Sequence, residues 1–429
     1  MKFMKLKYIL PLFYVLLFAG CEAEIDEYTP HAGELDLTTY VAIGNSLTAG
    51  FADNALYRTG QLNSMGNILA GQLMHAGLQE FNQPLMKDEF GLGGRLMLGV
   101  VSGSLLPVPM PGEVDPANMA NIFADEGPFH NMGIPGARTN HLLAPGYGSE
   151  QGNPYFARFA SSPATTVLED ALALDPTFFS LWIGSNDILG YALSGGEDNP
   201  ITPPAEYENY LNMILASLTE NGAKGAIGNI ADIASIPLFN TIPYNALVLT
   251  DPNIVAALNE AYSVAPHVSF SLGANPFVVE DAAIQPFGFR QLEVGEKVLL
   301  TALPGIMEYN WGSQVFIPAE YYLSNAQLDE IAVAVDAYNG IIEDAASQFG
   351  LALADIQSLM QQAETGIYFD AIEFTTAFVT GGMFSLDAVH MSARGNAAAA
   401  NAFIDAINST YNAGIPKVHV GQFNGIIFP

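Results

Sequence analysis

Cysteine is nearly absent. Cys21 is the one thiol in 429 residues, so no disulfide can form within the chain, and thiol catalysis and cysteine metal clusters are excluded. Positive charge is scarce as well: 13 Lys and Arg face 44 Asp and Glu, a net charge of −31. Such a surface repels phosphate backbones and anionic lipid headgroups, so nucleic acid is an unsuitable partner. The acidic balance identifies no substrate, because a solvated acidic surface also serves solubility alone. The histidines include no His-x-x-x-His pair, the acids form no EF-hand-like loop, and Gly-x-Ser-x-Gly occurs nowhere. Zinc, a calcium loop and the α/β-hydrolase nucleophile elbow therefore lack their motifs. Internal repeats and low-complexity tracts are missing too.

What the chain does have is apolar mass. Half of the residues are apolar and only 13% are charged, enough to build a large buried core. The length suits one large domain or two or three ordinary ones.

The N-terminus differs from the rest. "MKFMKLKYILPLFYVLLFAGC" places three lysines before an apolar run from Tyr8 to Phe18, then Ala19, Gly20 and Cys21. A basic start and a short apolar segment make an export signal, too short for a comfortable membrane span. Cys21 resembles the lipobox cysteine of bacterial lipoproteins, which carries the lipid and becomes the first residue after cleavage. Phe18 stands where that motif usually has Leu; the alternative is an ordinary signal peptide followed by a chance cysteine. Removal of residues 1–20 takes three of the 13 basic residues and no acid, leaving 10 against 44. No later run is long and apolar enough to span a bilayer. The expected location is the bacterial cell envelope, through a lipid anchor, with the outer membrane the favoured site.

Residues 21–37 are polar and acidic and suit a tether; an acidic stretch straight after the lipidated cysteine also resembles surface-export signals of some Gram-negative lipoproteins. From Thr38 onward, strand-like runs alternate with helical patterns. "YVAI" (40–43), "TFFSLWI" (177–183), the run around "AKGAIG" and "LALADI" read as strands. Helical spacing marks 63–77, and it places Tyr207, Leu211, Ile214, Leu215 and Leu218 on one face, with Gly222 as the C-terminal cap. A long amphipathic helix follows over 326–350, and an Ala-rich helix closes the chain. This alternation predicts a parallel sheet covered on both faces, with chemistry gathered at the carboxyl ends of its strands.

Three strand ends and loops carry polar residues of interest. "GNSL" follows the first strand, and its Ser46 is either an exposed nucleophile or a small polar residue at a helix N-terminus. "GSND" ends the second strong strand, where the neutral Asn186 amide can donate to a developing oxyanion or simply form a turn. "DAVH" precedes the last helix: Asp387 and His390, three apart on a turn, can pair so that the carboxylate holds Nδ1–H and Nε2 faces outward as a base. Between the strands lies "NMGIPGARTNH", read as a glycine loop in which the Gly136 N–H can face a ligand.

These four pieces, in this order, resemble the blocks of the SGNH hydrolases, the GDSL esterase/lipase family. The resemblance runs from about Thr38 to the last helix. It implies a flavodoxin-like three-layer α/β/α sandwich with a mainly parallel sheet, here a single domain over 38–429. It also implies that Ser46 is the nucleophile, His390 the base and Asp387 the residue that orients it. The oxyanion hole would join the N–H groups of Ser46 and Gly136 to the Asn186 amide, and no metal or organic cofactor is required. Two positions depart from the family pattern: Asn45 replaces Asp in the first block, and Met391 follows His390 where Pro is usual.

The chain is long for that family. Extra length falls near 48–130 and 237–325, segments expected to wall or cover Ser46, or to pack on the sheet. Their apolar and aromatic content suits an acyl chain or a sugar. The expected reaction is hydrolysis of carboxylic esters, with glycan deacetylation and a non-catalytic binding lipoprotein as alternatives. His130 and His141 flank the Gly136 loop and are candidates for lining the site.

Overall fold

The structure, a computed structural model, describes residues 29–101 and 103–429; the signal-like segment, Cys21 and the start of the tether lie outside the described residues. Five short strands form the central sheet: β1 (Tyr40–Gly44), β2 (Asn131–Gly133), β3 (Phe178–Trp182), β4 (Lys224–Gly228) and β5 (Ala352–Ala354). Every pairing is parallel and the spatial order is β2-β1-β3-β4-β5. β1 and β3 are buried along their whole length, which is why they read as continuous apolar runs rather than alternating ones. A polar pair inside these two strands is satisfied internally: the Tyr40 hydroxyl meets Ser180 Oγ at 2.7 Å.

Two sets of helices sandwich the sheet. α2 (Met65–Met74) packs against α6 (Ala393–Tyr411), which lies on β4 and β5; α4 (Pro204–Thr219) packs against α5 (Asn325–Phe349). The alanine run 397–400 in α6 is fully buried, and such small side chains let a helix approach a sheet closely. α5 starts with a capping box between Ser324 and Gln327 and stops at Gly350 in the left-handed region, a start and stop of the usual chemistry. In α4 the five residues expected on one face are the five that are buried. Its C-cap is Glu220, two positions before the expected glycine.

β2 is a strand where a loop was expected. Three residues with Asn and Gly at the ends carry no strand signal of their own; they pair because Ala42, Ile43 and Gly44 present an open edge to Asn131, Met132 and Gly133. With β2 in place the sheet is doubly wound, and the strand order reverses between β1 and β3. That crevice is where such sheets bind ligands.

Segment 237–325 builds apolar clusters of its own. One gathers Phe277, Val279, Val298 and Ile317, another Leu258, Tyr262 and Phe270. A bidentate pair of Arg290 with Glu296, at 2.7 Å on both nitrogens, and a bond to Asp281 at 2.6 Å tie it together. Among the described residues no helix is long and apolar enough to cross a membrane.

Candidate active site

β1 delivers Ser46 to the crevice. The strand ends at Gly44, and Ser46 is the first residue of the one-turn helix α1 (Ser46–Ala49), where Asn45 serves as N-cap by accepting from Leu47 N–H. The cap is therefore Asn45, and the Ser46 hydroxyl is left for another partner. That partner is His390: its Nε2 lies 2.9 Å from Ser46 Oγ. Its Nδ1 lies 2.9 Å from Asp387 Oδ2.

The turn 384–391 makes this possible. Ser385 N–H donates to His390 O, Phe384 and Met391 form a bridge, and Ala388 adopts φ +63. Asp387 Oδ1 accepts the N–H groups of Val389 and His390, at 2.9 and 2.8 Å. Burial alone would raise the Asp387 pKa. The His390 ring, by charge and hydrogen bond, together with the N–H groups of His390 and Asn54, outweighs burial and holds the carboxyl well below the usual carboxylate range. An anion is thus fixed behind the imidazole.

β3 delivers Asn186. Instead of projecting from a loop, Asn186 lies in the first turn of α3 (Ser185–Leu193), whose N-cap is Gly184 at φ +113. A Cβ at Gly184 would come within 3.0 Å of Tyr207 and Ile230, so both its backbone angle and its surroundings require glycine. Asn186 Nδ2 donates to Ala137 O at 2.9 Å, which uses one of its two N–H bonds. Asp187 anchors the same loop by accepting from Thr139 N–H and Oγ1 at 2.9 and 3.0 Å. Gly136 itself has φ +81 with open space around it. Among the described residues, the N–H groups of Ser46 and Gly136 meet no protein acceptor.

Asn45 departs from the first block's usual residue, and its structural role is visible: Nδ2 donates to Ser185 Oγ at 2.8 Å, pinning α1 to α3. A small pocket of about 70 Å³ opens beside the hydrogen-bonded run of Ser46, His390 and Asp387. Ser46, Asn186 and His390 line it, with Trp182, Ile230, Ile233, Ile236, Met360 and Val389 as its apolar wall. Asn186 and Leu189 also border a neighbouring groove that holds Gly136, Arg138, His141, Ser194 and Asn199.

Of the flanking histidines, His141 borders that groove and accepts from Arg138 N–H; burial, then the Arg138 charge, lowers its pKa. His130 is buried against Phe81 and accepts from Asn82 N–H, away from the pocket lining. The two inserts differ. Residues just after Ser46 reach His390 and Asp387: Phe51 lies 4.7 Å, centre to centre, from the His390 ring, and Asn54 N–H donates to Asp387. Segment 237–325 supplies no lining residue to the pocket; it folds on its own clusters instead. Phe51, Asp53 and Asn54 gave no sequence signal, since their partners lie more than 300 positions away. Among the described residues no group of three His, Cys, Asp or Glu is placed to hold a metal ion.

The family model for GDSL-like lipases and acylhydrolases matches residues 40–403. No curated protein matches the chain. Similar solved structures include a GDSL-like lipase from Parabacteroides merdae, 13% identical, covering 88% of this chain and 99% of its own, with a TM-score of 0.38. A catalytic variant of an acetylxylan esterase from Geobacillus stearothermophilus is 14% identical over 87% of this chain and 95% of its own, TM-score 0.38. An extracellular lipase from Streptomyces rimosus is 12% identical over 87% and 99%, TM-score 0.36.

Proposed function

Because the chain belongs to the GDSL-like lipase/acylhydrolase family, we propose that it hydrolyses carboxylic esters through an acyl-enzyme on Ser46. The observation that carries this is the unbroken run of hydrogen bonds from Ser46 Oγ through His390 to Asp387, 2.9 Å at each step. A serine hydroxyl is almost un-ionised near neutral pH and needs a base within reach. His390 Nε2 takes the proton as Oγ attacks the ester carbonyl. The tetrahedral oxyanion is met by the N–H groups of Ser46 and Gly136 and the second N–H of Asn186. The proton then passes from Nε2 to the departing alcohol, and water repeats the sequence on the acyl-enzyme.

The substrate has two sides. The acyl group enters the apolar pocket beside Ser46. At about 70 Å³ that pocket is far smaller than the ~300–1,000 Å³ of drug-sized sites, which favours short acyl chains. The alcohol crosses the groove bordered by Arg138, His141, Ser194 and Asn199, side chains that can hydrogen-bond a hydroxyl-rich alcohol against an otherwise apolar lining. That groove also favours the second reading, an acetyl esterase acting on glycans.

A p-nitrophenyl ester series from acetate to palmitate, with wild type and Ser46→Ala, tests the proposal. Turnover that vanishes in the variant and peaks at short chains supports it; equal background release from both proteins contradicts it. We further propose export and lipid attachment at Cys21, on the strength of the N-terminal sequence. Cys21→Ala should move the protein out of the membrane fraction, and an unchanged distribution would rule the anchor out.

A further inference from the structure

Asp387 Oδ2 carries two bonds: one from the His390 ring, and one from the backbone N–H of Asn54 at 2.9 Å. The oxygen that holds the base is therefore also held by a turn 333 positions away in sequence. That turn, Ala52–Ala55, has Asp53 at φ +51 and Asn54 at φ +63 and is closed by reciprocal bonds between Ala52 and Ala55 at 3.0 Å. Its closure needs nothing from the Asp53 side chain.

The Asp53 side chain is committed elsewhere. Oδ1 accepts Leu386 N–H at 3.0 Å, and Asp53 N–H donates to Ser385 Oγ at 3.0 Å. Oδ2 accepts the Tyr57 hydroxyl at 2.8 Å, and the Tyr57 ring lies under the Arg95 guanidinium at 3.5 Å. Arg95 in turn bonds Glu89. The three residues Ser385, Leu386 and Asp387 are thus stapled, one after another, to the turn that follows the nucleophile.

We infer that Asp53 is a positioning residue for the triad: through Leu386 and Asn54 it fixes Asp387 Oδ2 against the imidazole. The inference rests on the hydrolase reading above. It also accounts for an otherwise costly choice. Burial, reinforced by the nearby Asp387 charge, raises the Asp53 pKa against the opposing pull of Leu386 N–H, Tyr57 and Arg95. At φ +51 the turn tolerates an Asp, and its two carboxylate oxygens add the bonds to Leu386 and Tyr57 that the turn itself does not need. The charge of Asp53 is not what positions Asp387; its two acceptor sites are.

The test compares Asp53→Ala with Asp53→Asn. Alanine removes both acceptors, leaves Leu386 N–H unheld between the two remaining backbone bonds to Ser385 and Asp387, and should lower kcat about 10- to 100-fold, with KM within about twofold, because sub-ångström misplacement acts on the chemical step. The downfield Nδ1–H resonance of His390 should shift or broaden. Asparagine keeps an acceptor for Leu386 N–H, and its amide can donate to the Tyr57 oxygen, so kcat should return to within about fivefold of wild type. Tyr57→Phe, a milder change, should lower kcat about threefold at constant KM, and it serves if the alanine form does not fold. Full kcat in Asp53→Ala, or in Tyr57→Phe where the alanine form does not fold, or a folded Asp53→Asn as impaired as Asp53→Ala, overturns the inference. Wild type that cleaves no ester and reacts with no fluorophosphonate contradicts the hydrolase reading and the staple together. An active wild type with a fully active Asp53→Ala contradicts the staple alone.

Discussion

Ser46 and His390 stand 344 positions apart in sequence, and the hydroxyl of one meets Nε2 of the other at 2.9 Å. The sheet reversal between β1 and β3 opens the crevice, and the turn before α6 drops the imidazole into it. The predictions below each remove one part of that arrangement.

Asn186→Ala should reduce kcat about 10²- to 10³-fold with KM little changed, since an oxyanion donor acts mainly in the transition state. The variant also loses the bond to Ala137 O, so a melting curve should accompany the kinetics. An unaltered kcat would remove Asn186 from the oxyanion hole.

Asp387→Asn should lower kcat by about 10⁴, because the amide can present the wrong tautomer of His390 to Ser46. Its stability has a pH signature. A carboxyl whose folded pKa is depressed contributes stability above its unfolded value, about 3.9, and loses it as pH falls through the folded value. The stability difference between wild type and Asp387→Asn should be constant from neutral pH down to about 4 and then shrink. Denaturant titrations across that window check the sign; a difference that grew on acidification would contradict it.

Met360→Ala should widen the acyl pocket. Met360 is 2% exposed, so the change should cost about 2–5 kcal/mol of stability. It should also move the kcat/KM optimum toward longer acyl chains, by about tenfold or more per added methylene that now fits. A preference that stays where it was would place the acyl group elsewhere, and the groove beside Arg138 and Leu193 would become the better candidate.

Gly136→Ala should be tolerated sterically, as no atom lies within 4 Å of the added Cβ, but φ +81 is strained for any other residue. The expected cost is about 1–2 kcal/mol, with a fall in kcat if the loop shifts its N–H. Thermal unfolding and turnover measured together check both effects.

The sequence made the sheet's inner strands and the long helices legible because burial and periodicity are local signals: Tyr40–Ile43 is apolar throughout, Phe178–Trp182 is apolar but for Ser180, and α4 shows its buried face at helical spacing. Ser46, Asn186, Asp387 and His390 were legible as motifs, and the structure brings Ser46, Asn186 and His390 to one pocket with Asp387 behind the imidazole. β2 was illegible, because three residues pair only when a neighbouring edge exists to receive them. The role of Asp53 and Asn54 was illegible for a stronger reason. Their bonds to Leu386 and Asp387 arise from chain folding alone, and no spacing in a linear sequence records them. The same holds for segment 237–325: its sequence left walling the site and packing both open, and its aromatic residues pack with one another.

The most direct measurement is labelling with a fluorophosphonate, followed by peptide mapping. The account predicts one covalent adduct per chain, on Ser46, formed rapidly by wild type and far more slowly by His390→Ala. An unlabelled wild type, or an adduct on any other serine, would contradict it.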